Sequence, residues 1–307
     1  MEIVVFGAGS LGSLVGGILA GDHDVTLVAR REHAQTVHES GLRIDGELET
    51  QVTPAATTDG RDLEGDLAVV TVKSFDTPSI AETIATGSFE VVLSLQNGMG
   101  NEESLASALE SPVLAGTATY GAILREPGLV ECTGIGDVVV GDRRGGTSNV
   151  AETVGEAFSS GGLETTVAAD MPYRLWEKLA VNAGINAVTA LTETENRAVL
   201  ESPTDHIARA ATKETARVAR ADGVDLSNRE ALVAMESVAE ATATNTSSMA
   251  QDLQAGRRTE IDAINGYVVD RGDELGLETP TNRLLAALVR TWERGQELRN
   301  ASLSASR

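Results

Sequence analysis

Apolar residues along the first half of the chain come in short blocks, not in strict alternation. Runs at 3–6, 24–28, 66–72 and 90–95 are apolar nearly throughout, as expected of strands covered on both faces. Between them, 10–20, 31–39, 77–85 and 102–109 read as helices. That alternation predicts a parallel sheet with right-handed crossovers. Residues 41–53 read as a β-hairpin turning at Asp45-Gly46. From 113 to 141, β-rich segments are punctuated by Gly121, Gly128, Gly134 and Gly136. They predict antiparallel strands added to one edge of the sheet.

After about Asp170 the strand signals stop and long helical patterns follow, at 172–190, 203–221, 228–242, 260–275 and 280–299. Pro172 and Pro203 stand where a helix would begin, Gly223 and Gly276 where one would end. The predicted fold is therefore α/β plus all-α. A Rossmann-type doubly wound sheet occupies 1–168 and a helical substrate and catalytic domain occupies 169–307. The polar tail after Asn300 is expected to fray.

Composition narrows the function. A length of 307 residues with 41% hydrophobic content suits two globular domains, and aromatics at 3% leave the cores to aliphatic side chains. The longest apolar runs are too short to cross a bilayer. No basic segment precedes the first of them, so a cytoplasmic protein starting at Met1 is expected. One cysteine, Cys132, excludes an intramolecular disulfide. His23, His33, His38 and His206 form no ligand-spaced cluster with it, so no metal site is expected. A net charge of −22 argues against a nucleic-acid partner. Lys73, Lys178 and Lys213 are the only lysines, and this acid-rich, lysine-poor balance predicts adaptation to very high salt. At about 1 M salt the Debye length is only about 3 Å, which screens the self-repulsion.

Gly7-Ala8-Gly9-Ser10-Leu11-Gly12 matches G-x-G-x-x-G directly after a strand and opening a helix. Gly7 permits the tight turn, Gly9 lets backbone approach a pyrophosphate, and Gly12 lets helix and strand pack closely. The helix start offers N–H groups and a positive dipole end to phosphate. Where an NAD enzyme carries Asp or Glu after its second strand, this chain reads Ala29-Arg30-Arg31. A guanidinium suits a 2′-phosphate, so the expected cofactor is NADP(H), held by Arg30. Lys73 and Asn97 follow two further strands at the ligand-binding edge, where either could reach the cofactor or cap the next helix.

Lys178, Asn182 and Asn186 are spaced i, i+4, i+8 in an otherwise apolar helix, on one face along about 12 Å. Asn is costly to bury without partners, so the stripe lines a cleft or forms an inter-helix hydrogen-bond ladder. Further on, Ser247-Ser248-Met249-Ala250-Gln251-Asp252 leads to Gly256-Arg257-Arg258-Thr259-Glu260-Ile261-Asp262. These stretches, with Asn196, Gln96-Asn97-Gly98 and Lys73, resemble ketopantoate reductase (2-dehydropantoate 2-reductase) across nearly the whole chain.

That resemblance implies NADPH-dependent reduction of 2-dehydropantoate to (R)-pantoate, a step toward pantothenate and coenzyme A. It implies Lys178 as general acid at the substrate carbonyl. Glu260 would be the second catalytic residue, bonded to the substrate hydroxyl and beside the cofactor. Asn182, Asn186 and Ser248 would bind substrate, Asn196 would help build the pocket, and Asn97 would position the nicotinamide end. A homodimer is compatible with it. Two other readings stay open: a related 2-keto acid or β-hydroxyacid reductase, and a non-catalytic NADP-sensing protein.

Overall fold

Strand β1 (Glu2–Phe6) leads through the glycine turn into α1 (Ser10–Leu19), and β2 (Asp24–Val28) leads into α2 (Arg31–Ser40). Then come β3 (Leu42–Gly46), β4 (Thr50–Val52), β5 (Ala55–Thr57) and β6 (Glu64–Val70). The alternation resumes with α3 (Thr77–Ile84), β7 (Ser88–Ser94), α4 (Asn101–Ala108) and β8 (Val113–Ala118). Last are β9 (Gly121–Glu126), β10 (Leu129–Gly134), β11 (Val138–Asp142), α5 (Asn149–Ser160) and β12 (Thr165–Val167). The computed structural model describes residues 1–299; the tail expected to fray lies outside the described residues.

Six strands run parallel in the order β5-β2-β1-β6-β7-β8. β11 pairs antiparallel with β8, and β12 parallel with β11. The order reverses between β1 and β6, which makes the carboxyl ends of those strands the ligand-binding crevice of a doubly wound sheet. Val5, Phe6, Val69 and Val70 are fully buried there.

Two expectations are corrected. β3 and β4 do pair antiparallel, Leu42 with Val52 and Ile44 with Thr50, but this register centres the turn on Glu47, in the loop 47–49, and not on Asp45-Gly46. Gly46 stays in the strand opposite Cys132 of β10, where a Cβ would collide with the Cys132 carbonyl. In the second case, β8 is parallel to β7 and only β11 adds antiparallel at the edge. β9 and β10 leave the main sheet and join β3 and β4 in a separate sheet ordered β4-β3-β10-β9. The reason lies in α1. Its Gly16 packs on Leu27 and Val5 of the main sheet, and its Gly17 packs on Leu42 and Ile44 of the small one. The small sheet thus buries the second apolar face of α1.

The chain divides into two compact units, 1–96 with 100–172, and 97–99 with the residues from 173 onward. The second consists of α6 (Met171–Thr192, from Tyr173), α7 (Asp205–Ala221), α8 (Asn228–Ala241), α9 (Ser248–Gln254), α10 (Tyr267–Glu274) and α11 (Pro280–Gly295). Residues 179–190 of α6 are buried all round except Asn182, so α6 is the core helix of this unit. The helix read from Pro203 starts only at Asp205. The one read over 260–275 opens as a π-helical turn at Asp262–Gly266 and becomes α only at Tyr267. Among the described residues no helix is long and apolar enough to cross a membrane.

Candidate active site

In the first unit the glycine turn hangs from the end of β2, because the N–H groups of Gly7 and Ala8 both donate to the Val28 carbonyl, at 3.1 and 3.0 Å. Gly7 has φ +96°, and a Cβ there would lie 2.5 Å from Val72 Cγ1. At Gly12 a Cβ would sit 2.6 Å from the Gly7 carbonyl oxygen. At Gly9 it would meet nothing nearer than that oxygen, at 3.8 Å. The turn is therefore packed against protein on two of its glycines and open on the third. Gly9 caps α1 with no side-chain bond, and the first turn carries no acid. Ser10 Oγ is committed elsewhere, accepting from Leu124 N–H at 3.0 Å. What Ser10, Leu11 and Gly12 offer an anion is backbone N–H at a helix start, and this cradle fits a dinucleotide pyrophosphate.

Arg30 occupies the N-cap position of α2, and both it and Arg31 are exposed. Lys73, half-buried, precedes a 3-10 turn that runs into α3, and its carbonyl accepts from Asp76 N–H at 2.8 Å. Beside that loop lies a buried polar knot absent from the expected site. Gln96 Nε2 donates to the Val72 carbonyl at 3.0 Å and to Thr77 Oγ1 at 2.7 Å. The Thr77 hydroxyl donates to Asn101 Oδ1 at 2.9 Å, and Ser94 Oγ lies 3.4 Å from Gln96 Oε1. Glu102 joins it through Ser94, and burial pushes its carboxyl up to about 7. The signal for this knot was the set of polar residues Gln96, Asn101 and Glu102 just after a buried strand.

In the second unit, segment 97–99 lies against the stretch that follows Glu260. Met99 N–H donates to the Ala263 carbonyl at 3.0 Å, and a Cβ on Gly98 would meet Ala263 Cβ at 2.5 Å. Asn97 is half-buried. On α6, Lys178 and Asn182 are half-buried and Asn186 is buried. Thr189 continues their stripe, and its hydroxyl lies 2.7 Å from Ser247 Oγ. Ser247 also caps α9, accepting from Ala250 N–H. It is thus Ser247 that pins α9 to α6, while Ser248 is exposed at the first position of α9. Asn196 Nδ2 donates to Thr242 Oγ1 at 2.9 Å and its N–H to the Asn245 carbonyl at 2.9 Å, which ties down the loop leading to Ser247.

Glu260 is 6% exposed. Two contacts hold its segment on α6. Asn265 Nδ2 donates to the Ala183 carbonyl at 3.1 Å, and Trp176 packs on Tyr267 at a ring separation of 5.8 Å. Lys178, the Asn stripe, Ser247-Ser248 and Glu260 therefore belong to elements packed around one helix. A lysine, two amides, a hydroxyl and a carboxylate so arranged can polarise a carbonyl and hold a small oxygen-rich acid.

Comparison with known proteins agrees with this chemistry. The family described as Ketopantoate reductase PanE/ApbA matches residues 3–145, and its C-terminal counterpart matches 170–293. The 2-dehydropantoate 2-reductase of Halobacterium salinarum is 43% identical, over 96% of this chain and 99% of its own length. That of Archaeoglobus fulgidus is 40% identical, over 96% and 98%. Among solved structures, the PanE/ApbA family ketopantoate reductase of Ralstonia eutropha superposes with a TM-score of 0.89 at 35% identity, covering 97% of this chain and 100% of that one. A D-mandelate dehydrogenase with NADH and anilino(oxo)acetate reaches 0.90 at 25% identity, with the same coverage. The chain belongs to the ketopantoate reductase family.

Proposed function

We propose that the protein catalyses the NADPH-dependent reduction of 2-dehydropantoate to (R)-pantoate. The observation that carries this reading is the Lys178–Asn182–Asn186 stripe on α6, with Ser247-Ser248 and the Glu260 segment packed on the same helix. Bound NADPH supplies the hydride for the ketone carbon. Lys178 donates the proton to the carbonyl oxygen, and its ammonium stabilises the developing alkoxide. Glu260 accepts a hydrogen bond from the substrate hydroxyl. Ser248, Asn182 and Asn186 hold the carboxylate and hydroxyl oxygens, and Asn196 supports the pocket from behind. The glycine cradle, Lys73 and Asn97 bind the cofactor, with Glu260 beside it. Arg30, exposed at the end of β2, takes the 2′-phosphate and favours NADPH over NADH. Working at high salt is part of the same reading, supported by the likeness to the Halobacterium salinarum reductase.

A second reading, reduction of a related 2-keto acid, draws support from the likeness to D-mandelate dehydrogenase. A non-catalytic NADP sensor has no need for both Lys178 and Glu260. The test is Lys178→Ala. Its kcat should fall at least about 100-fold, as for a lost general acid, with NADPH affinity little changed. Near-normal turnover would remove Lys178 from the mechanism.

A further inference from the structure

Glu293, near the end of α11, is fully buried, a costly place for a carboxylate unless its oxygens are matched. They are matched in an unusually concentrated way. Oε1 accepts from both the backbone N–H and the hydroxyl of Thr259, each at 2.7 Å. Oε2 accepts from Arg299 Nε. The Thr259 hydroxyl also accepts from Ile261 N–H, at 3.2 Å. Glu260 is thereby bracketed: the residue before it is bonded twice to one carboxylate oxygen, and the residue after it is tied back to the same threonine.

The following residues are held as firmly. The π-helical turn closes with Gly266 N–H donating to the Ile261 carbonyl at 2.8 Å. From that turn Asn265 donates to Ala183 of α6 and, at 2.9 Å, to Asn282 Oδ1. Asp262 accepts from Arg290 Nε at 2.7 Å and from Arg299 at 2.5 Å. Arg299 thus pairs with both Glu293 and Asp262. A π turn is a rare local geometry that recurs at functional sites. Here it spans Asp262–Gly266, beginning two residues after Glu260 and leading into α10.

We propose that Glu293 is a positioning residue, which through Thr259 fixes the backbone from which Glu260 meets the substrate hydroxyl. The proposal rests on the reading of Glu260 given above, and the alternative is a clamp that serves folding alone. A displaced hydrogen-bonding group weakens substrate binding without touching the proton donor or the cofactor cradle.

Steady-state kinetics of the full chain with 2-dehydropantoate and NADPH separate the cases, with Glu260→Ala as reference. Thr259→Val keeps the shape and the backbone bond but deletes the hydroxyl, and should raise KM for the keto acid about 5-fold with kcat within about 2-fold. Glu293→Ala should raise it about 10-fold or more, toward the Glu260→Ala value, and Glu293→Gln, which keeps an acceptor for Thr259, should recover most of the loss. NADPH affinity should stay unchanged in the Thr259 and Glu293 variants, a pattern that a loss of folded protein does not produce. If Glu260→Ala raises KM while Thr259→Val and the Glu293 variants do not, the positioning role is refuted and the reading of Glu260 survives. If Glu260→Ala leaves KM unchanged, that reading fails and the role of Glu293 fails with it. Thr259→Val decides the matter alone should Glu293→Ala not fold.

Discussion

Gly9→Ala and Gly12→Ala add the same methyl group to the same turn, yet their surroundings dictate different outcomes. At Gly12 the new carbon would lie 2.6 Å from the Gly7 carbonyl oxygen and collide with the Thr71 hydroxyl. That hydroxyl is itself bonded to the Gly7 carbonyl at 2.9 Å, so neither group can give way without opening the turn. Overpacking of this kind costs about 1–3 kcal/mol. In a unit of this size each kcal/mol lowers Tm by about 2–4 °C. At Gly9 the new carbon finds no protein atom nearer than 3.8 Å, although the backbone there, at φ −87° and ψ −145°, lies outside the regions that other residues favour. Alanine there meets no clash, so its cost in stability is confined to that backbone geometry, about 1–3 kcal/mol. The methyl instead fills the face on which a pyrophosphate must reach the first N–H groups of α1. Losing one charge-assisted bond, worth about 1.5–3 kcal/mol, weakens NADPH binding about 10- to 100-fold. Fluorescence titration with NADPH and thermal melting of both variants provide the check. A Gly9→Ala protein that binds NADPH like the parent, or a Gly12→Ala protein that melts with it, would refute the reasoning.

Arg30→Asp should cost NADPH-dependent kcat/KM far more than the NADH-dependent value, and equal losses with both cofactors would defeat the 2′-phosphate assignment. Burial raises the Glu102 carboxyl from 4.5 to about 7, so in that window the folded chain keeps a proton that the unfolded chain has released. Its contribution is present below 4.5 and is lost as pH rises, by roughly 3 kcal/mol in all. Glu102→Gln should flatten this part of a urea-denaturation profile, and an unchanged slope between about pH 5 and 7 would contradict it. His33 acts on the acid side: burial lowers its pKa below 6.5, so the stability it contributes above that value is lost as pH falls through its folded pKa.

The parts of this molecule that show in its sequence are those where one local pattern has one structural meaning. The short apolar runs ending at Phe6 and Val28 match strands, and Gly7–Gly12 between strand and helix matches a tight turn beneath a helix start. The polar stripe of α6 stood out because its neighbours are apolar. What stayed hidden depends on partners distant in the chain. The glycine-punctuated β segments announce β9 and β10, not that they cover α1; the adjacent Gly16 and Gly17 were the only hint that α1 is packed on two sides. The π turn after Glu260 escaped notice because i+4 and i+5 spacings differ little over five residues. Nothing in the sequence marks Glu102 and Glu293 as buried; that depends on partners such as Ser94, Thr259 and Arg299. Of two adjacent serines, the sequence singled out Ser248, whereas Ser247 makes the contact to α6.

The most direct test of the whole account is NADPH oxidation by the purified protein at about 1 M salt, where its acidic surface is screened, with 2-dehydropantoate set against a panel of other 2-keto acids. 2-Dehydropantoate should give the highest kcat/KM, by about tenfold or more, a preference of about 1.4 kcal/mol in transition-state binding. An equal or higher value for another 2-keto acid would contradict it.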